Sequence, residues 1–329
     1  MRVIEATRFG DPDVLEANER PDPVAGAGQI VVDVEFAEVL FLDTQLRSGW
    51  GRDFFPMEPP FVPGVGVAGV VSSVAGSVDS GWVGRRVVAG TGETGAYAGG
   101  GYAERAAVPV DATFEVPDGV ELKDAIAALH DGLMGLSRIE KARIQPGERV
   151  LVTAAAGSIG AWLVPLAHAS GAQVIAAARG ETKLRLARER GADAAVDYSE
   201  PGWTHRVRAA SGGENVDVVF DGAGDRIGRA AFETTAPGGR FFSYGAASGD
   251  FPEIGEQELE QRGITLIGIH DEMTPVDQRR FIELALAEIA TRRIQPVIGQ
   301  AVPLERAAEA HAAIESRSVA GKTLLRVGR

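Results

Sequence analysis

The sequence predicts a two-part α/β protein. A β-rich, barrel-like domain over residues 1–121 is completed by the tail 295–329, and a doubly wound parallel-sheet domain over residues 122–294 is inserted between them. Three observations predict this. The first 120 residues carry five short extended runs divided by Gly, Pro and Asp. The stretch 150–160, VLVTAAAGSIG, reads as a buried strand passing through a tight turn into a helix. From there to about residue 269, strand and helix patterns alternate, as in a parallel sheet with crossover helices.

In chain order, the extended candidates are 2–7, 29–36, 64–74, 85–89 and 102–108, and their spacing points to a compact barrel-like domain. The pattern is helical over 122–140. A turn at Gln145, Pro146, Gly147 and Glu148 leads into the strand 150–152. Gly160, Trp162, Leu163, Leu166 and Ala167 then have helical spacing, and Pro165 is expected to kink that helix. A strand at 173–178, a helix at 182–190 closed by Gly191 and a strand at 192–196 complete a β-α-β-α-β half. The second half follows as helix 203–210, strand 217–220 running into Asp221 and Gly222, helix 226–235, and strand 240–244 ending at Gly245. A further strand, 264–269, precedes an amphipathic helix at 275–291. The tail, with a helix at 304–315 and a strand at 323–327, is too short for a domain of its own and is expected to return to the first one.

The turn carries the chemistry. Ala155, Gly157 and Gly160 match the G-x-G-x-x-G dinucleotide fingerprint with alanine in the first slot. Gly157 would let backbone approach a pyrophosphate, and Gly160 would let helix pack on strand, with Ser158 and Ile159 at the helix start beside the phosphates. Gly222 and Gly245, at the ends of later strands, are assigned to the same face. The end of the strand at 173–178 discriminates between cofactors, because a carboxylate there suits a ribose 2′-hydroxyl and positive charge suits a 2′-phosphate. Arg179 stands at that end, Lys183 follows on the first helical turn, and the nearest acid is Glu181. Read as more than solvated charges, Arg179 and Lys183 predict NADPH.

Composition excludes several classes. A net charge of −13 lacks the basic face that nucleic acid requires. The absence of cysteine removes disulfides, cysteine nucleophiles and thiolate zinc sites together. Five scattered histidines form no ligand motif, so no metal site is predicted. No apolar run reaches membrane-spanning length and no leader pattern opens the chain, so a cytoplasmic protein is expected.

Several motifs together resemble the medium-chain dehydrogenase/reductase superfamily, in its zinc-free quinone oxidoreductase (zeta-crystallin-like) branch, over nearly the whole chain. They are RFGDPDVL from Arg8 to Leu15, LDTQLRSG from Leu42 to Gly49 and PGVGVAG from Pro63 to Gly69. GYAE from Gly101, QPGE from Gln145, the fingerprint, APGGR from Ala236 and AGK from Ala320 complete the set. No Tyr-x-x-x-Lys supports the short-chain alternative. The resemblance implies a GroES-like catalytic domain, a Rossmann domain, NADPH in the cleft, and a homodimer joined along the edge strand 264–269. It also implies that Tyr198 and Lys183 meet the 2′-phosphate.

The catalytic positions depart from the family. Leu40 stands where quinone reductases commonly have Asn, Gly66 replaces the glutamate of the Gly-His-Glu motif, and Met134 replaces a Thr. The implied substrate is an apolar conjugated carbonyl (an enone or enoyl compound) or a quinone. A pocket wall of Leu40, Phe41, Trp50, Phe54 or its neighbour Phe55, and Met134 would suit it. Candidate proton donors are Asp43, Tyr97, Tyr102, His130 and Asp131, with water as the competing source. The losses keep a second reading open, a specialised biosynthetic or cofactor-responsive NADPH-binding relative with altered or no reductase chemistry.

Overall fold

The computed structural model describes residues 1–53, 55, 57–92, 99–269 and 273–328. They form two compact units, Met1–His130 with Pro275–Arg329, and Asp131–Thr274. Both units have the predicted architecture, a GroES-like β-rich fold and a Rossmann fold.

The first unit opens with a two-stranded antiparallel ribbon, β1 (Arg2–Ala6) and β2 (Leu15–Glu19). Its main sheet is organised on β3 (Gln29–Val39), the longest strand. A short helix α1 (Phe41–Ser48) follows, then β4 (Gly66–Val74), β5 (Arg86–Gly90), β6 (Arg105–Pro109), β7 (Thr113–Glu115) and a single helical turn α2 (Leu122–Ala125). Along one edge β3 pairs with β4. Its other edge is shared by β6 and a strand of the tail, so Ile30, Val32, Val67, Val87 and Tyr102 close into one core.

The second unit comprises α3 (Asp131–Ala142), β8 (Arg149–Thr153), α4 (Gly160–Ala169), β9 (Gln173–Ala178), α5 (Glu181–Glu189) and β10 (Ala194–Asp197). It continues with α6 (Trp203–Ala210), β11 (Val216–Asp221), α7 (Asp225–Glu233), β12 (Thr235–Ser243), α8 (Glu256–Arg262) and β13 (Thr265–Ile267). All six strands are parallel, in the order β10-β9-β8-β11-β12-β13. This is the 3-2-1-4-5-6 doubly wound order, which reverses between β8 and β11 and so opens a crevice at their carboxyl ends. Val150, Val152, Val174 and Phe220 are buried on one face of the sheet and Leu151, Ile175 and Val219 on the other, as parallel strands require.

The chain returns to the first unit as α9 (Pro275–Ala290), β14 (Ile298–Pro303), α10 (Ala307–Glu315) and β15 (Lys322–Arg326). β15 is the tail strand that pairs with β3, and β14 pairs with β15.

The boundaries shift from those expected. The units part after residues 130 and 274, not 121 and 294. Residues 122–129 stay with the first unit because their apolar side chains are buried there, and α9 joins it through Arg279, which stacks over Phe114 and donates to the Asp111 carbonyl. The helical stretch 122–140 is accordingly not one helix but α2, a 3-10 turn and α3, divided at His130. The helix α4 continues through Pro165. Among the described residues, no helix is long and apolar enough to cross a membrane.

Candidate functional site

In the second unit the fingerprint turn is packed backbone on backbone. A Cβ on Gly160 would lie 2.6 Å from the Ala154 carbonyl oxygen and 2.7 Å from that of Ala155, and one on Gly157 would lie 3.1 Å from Ala154. Ala154 itself holds a left-handed φ of 48°, and Ala155 is buried. Ser158 and Ile159 lead directly into α4, where Ala161 N donates to the Gly157 carbonyl at 2.9 Å and Trp162 N to that of Ile159 at 3.0 Å.

The tips of β11 and β12 are equally close. A Cβ on Gly222 would meet Tyr244 Oη at 2.7 Å, and one on Gly245 would meet the Gly222 carbonyl oxygen at 2.6 Å. Beneath them Asp221, fully buried, accepts from Thr153 Oγ1 at 2.6 Å, Ala223 N at 3.1 Å and Gly224 N at 3.3 Å. Burial raises its carboxyl to about 6 against those hydrogen bonds. Burial also pushes the Tyr244 hydroxyl far above its usual range, and the Asp221 charge adds to the shift. The sequence marks Asp221 only as a strand end. Its link to the β8 tip appears only when the two strands lie side by side.

At the end of β9, Arg179 is exposed, and Lys183 is half-buried at the start of α5. Tyr198, also half-buried, follows β10 with its ring edge-on to Trp203 at 6.4 Å. Glu181 pairs with Arg188 at 2.7 Å on its own helix. Asp197 was not foreseen. Its carboxylate accepts from Gly180 N and Ser199 N, both at 2.8 Å. Burial raises this group, but the bonds from Ser199 and Gly180 and the Arg179 charge outweigh burial and hold it below the usual carboxylate range. Sequence spacing missed it because it arrives from the neighbouring strand.

In the first unit, Asp43 is fully buried and accepts from Leu40 N at 2.7 Å, Gly64 N at 3.3 Å and Tyr102 Oη at 3.4 Å. Tyr102 Oη also lies 2.9 Å from His311 Nε2. Burial, and then the Arg47 charge, lower His311 to about 3, so its ring is neutral. Two of the candidate donors, Asp43 and Tyr102, therefore share one buried chain that ties α1 to the Gly64 turn and to α10.

His130 belongs to a separate cluster. Its Nδ1 is 2.5 Å from Glu38 Oε1, and Glu38 Oε2 is 2.6 Å from Lys322 Nζ. Burial raises the Glu38 carboxyl, but the charges of His130 and Lys322 prevail and bring it to about 2. Leu40 and Phe41 are half-buried at the start of α1, and Trp50, 38% exposed, follows Gly49, which has a φ of 93°. Asp131 and Met134 lie on α3 in the second unit, the first buried and the second half-buried. Tyr97 and Phe54 lie outside the described residues.

The chain matches the family described as alcohol dehydrogenase GroES-like domain over residues 26–118, and that described as zinc-binding dehydrogenase over residues 158–289. It is 30% identical over 328 residues to a probable quinone oxidoreductase of Schizosaccharomyces pombe, covering 98% of this chain and 96% of that protein. Among solved structures it is similar to a mycobacterial protein complexed with NADPH, at 33% identity and a TM-score of 0.89, over 99% of this chain and 100% of that one. It is also similar to the Escherichia coli quinone oxidoreductase complexed with NADPH, at 27% identity and a TM-score of 0.90, over 99% and 100% of the two chains.

The zinc that the second description implies does not fit these residues. Such sites are built from Cys, His and carboxylate donors. The chain has no cysteine, position 66 is glycine, and the carboxylate that reaches that space, Glu38, lies against Lys322 Nζ with one oxygen and His130 Nδ1 with the other. Among the described residues, no group of three His, Cys, Asp or Glu is placed to hold an ion.

Proposed function

Because the chain belongs to the medium-chain dehydrogenase/reductase superfamily, in its quinone oxidoreductase branch, we propose that it is a zinc-independent, NADPH-dependent reductase of quinones or α,β-unsaturated carbonyl compounds. The observation that supports this most is the pairing of Arg179 and Lys183 at the end of β9 with a glycine-packed turn at the carboxyl end of β8. NADPH, when bound, supplies the hydride.

The residues of the chain bind and orient. The turn at Gly157 and Gly160 admits the pyrophosphate to within reach of backbone N–H groups, and Gly222 and Gly245 keep the neighbouring strand tips free of side chains. Arg179, Lys183 and Tyr198 meet the 2′-phosphate, while Asp197 holds the Gly180 turn beside them. Leu40, Phe41 and Trp50, all in the first unit, give an apolar wall that suits a flat conjugated substrate. The test is loss of NADPH absorbance with a panel of simple quinones and enones, with NADH in parallel. Turnover in step with acceptor is expected, at a higher kcat/KM with NADPH. Tight NADPH binding without consumption would replace this reading with the second one, a specialised or cofactor-responsive relative, which the departures at Leu40, Gly66 and Met134 favour.

A homodimer fits the open edge of the second sheet. Among the described residues β13 is the last strand of that sheet, and Leu266 within it and Ile269 just after it are 40% and 42% exposed. Pairing with the same strand of a second copy would satisfy its free N–H and C=O groups. Light scattering behind size exclusion is expected to give twice the chain mass; a monomer mass would contradict the pairing.

A further inference from the structure

The end of β12 runs beside the end of β11. Asp221 and Ser243 are the last residues in register, and just beyond them Tyr244 N donates to the Asp221 carbonyl at 3.0 Å. The Tyr244 side chain then lies across the next residue of β11. That residue is Gly222, which brings no side chain of its own. A Cβ there would stand 2.7 Å from Tyr244 Oη and 2.9 Å from both Cε2 and Cζ. One strand supplies the ring, and the other supplies the room.

The floor beneath the ring is fixed. Gly222 N and Ala223 N donate to Thr153 Oγ1 at 3.1 and 3.2 Å, and that hydroxyl donates in turn to Asp221 at 2.6 Å. Asp221 also accepts from Ala223 N and Gly224 N. The turn 222–224 is thereby tied to the carboxyl end of β8, where the strand order reverses and the crevice opens. Tyr244 is half-buried over that turn, and among the described residues its hydroxyl has no hydrogen-bond partner. Tyrosine hydroxyls taken out of water normally find one. Phenylalanine would fill the same space over Gly222, so packing alone does not call for the oxygen. Burial and the Asp221 charge keep the proton on it against the opposing charge of Arg138, so the group is a donor.

In a doubly wound sheet each half takes one nucleotide of the cofactor. The proposed 2′-phosphate site at Arg179 and Lys183 gives the adenosine to the first half, which leaves the nicotinamide nucleotide to β11 and β12. We propose that Tyr244 Oη donates a hydrogen bond to a ribose hydroxyl of the nicotinamide half of NADPH. This inference rests on the NADPH part of the reading above. It is confined to the second unit, to which Thr153, Asp221, Gly222 and Tyr244 all belong. NADH carries the same half, so the contact adds affinity for both dinucleotides and does not discriminate between them.

The experiment compares wild type with Tyr244→Phe, which keeps the ring over Gly222 and removes only the hydroxyl. Calorimetric titration of the cofactor-free protein measures Kd for NADPH, for NADH and for 2′,5′-ADP, which lacks the nicotinamide half. Tyr244→Phe is expected to raise Kd about 10-fold for NADPH and for NADH, as loss of one hydrogen bond does. Kd for 2′,5′-ADP and the Tm without cofactor should stay at wild-type values, which a packing role for the hydroxyl would not allow. Unchanged constants for both dinucleotides would overturn the contact. An equal rise for 2′,5′-ADP would overturn its assignment to the nicotinamide half. No acceptor is present in these titrations, so the expected changes in a protein that consumes no NADPH would uphold the contact while the reductase reading fails. Wild type that binds neither dinucleotide would overturn both.

Discussion

The Arg179→Ala/Lys183→Ala variant is expected to lose about 100-fold of its preference for NADPH over NADH, almost entirely through the affinity for NADPH. A charge-assisted hydrogen bond contributes roughly 1.5–3 kcal/mol when well formed. Arg179 is exposed and Lys183 half-buried, so solvent screening places each at the lower end, about 1.4 kcal/mol or one decade per cation. Asp197 amplifies the loss. It stays ionised beside the Gly180 turn, and once the two cations are gone its charge repels a 2′-phosphate. NADH, which carries a hydroxyl there, should be nearly unaffected. Steady-state kcat/KM for the two cofactors measures the ratio, and a variant with wild-type selectivity would show that these side chains do not read the 2′ position.

Gly160→Val should be the more damaging change to binding of any kind. Its Cβ would stand 2.6 Å and 2.7 Å from two carbonyl oxygens of the turn, and these are main-chain atoms that cannot rotate away as a side-chain end could. Ala154, already left-handed, leaves the turn no easy route of relaxation. Overpacking of this kind costs roughly 1–3 kcal/mol of stability. Relief by opening the turn would displace the start of α4, so NADPH affinity should fall more than about 100-fold. Thermal melting combined with fluorescence titration separates the two effects. A stable protein with wild-type affinity would mean that the turn is not the pyrophosphate site.

The second unit was more legible in the sequence than the first, and the reason is physical. β8, β9 and β11 are buried on both faces, so each is a short unbroken apolar run between turn signals, and their order follows from alternation with helices. β12 begins at Thr235 and not at the expected 240, although Pro237, Gly238 and Gly239 are residue types that favour turns. In the structure they lie within the strand, whose pairing with β11 jumps from Thr235 to Arg240 across them. In the first unit α1 was hidden, because Leu40 and Phe41 are assigned to a pocket wall. The signals for it were Asp43, which caps Leu40 N, and Gly49, which closes the helix in a left-handed conformation.

The candidate site divides in the same way. The proposed cofactor face follows local rules of spacing, apart from Asp197 and Asp221, which arrive from neighbouring strands. The catalytic side depends on phase and register. Glu38 lies two residues past the strand expected over 29–36, and the step between Val34 and Phe36 turns it from the core face onto Gly66. Asp43 and Tyr102 looked like proton donors by residue type. Their partners, Leu40 N, Gly64 N and His311, identify the pair as a tie between elements.

The account stands on hydride passing from NADPH to a substrate carbon, and the most direct measurement is label transfer. The protein would be incubated with a simple enone and NADPH deuterated at one face of nicotinamide C4, and then at the other, and the product analysed by mass spectrometry and NMR. The expected result is one deuterium at the β-carbon of the product from one face only, with NADPH consumed in equal amount. Deuterium retained on the nicotinamide from both faces, with the enone unchanged, would contradict it.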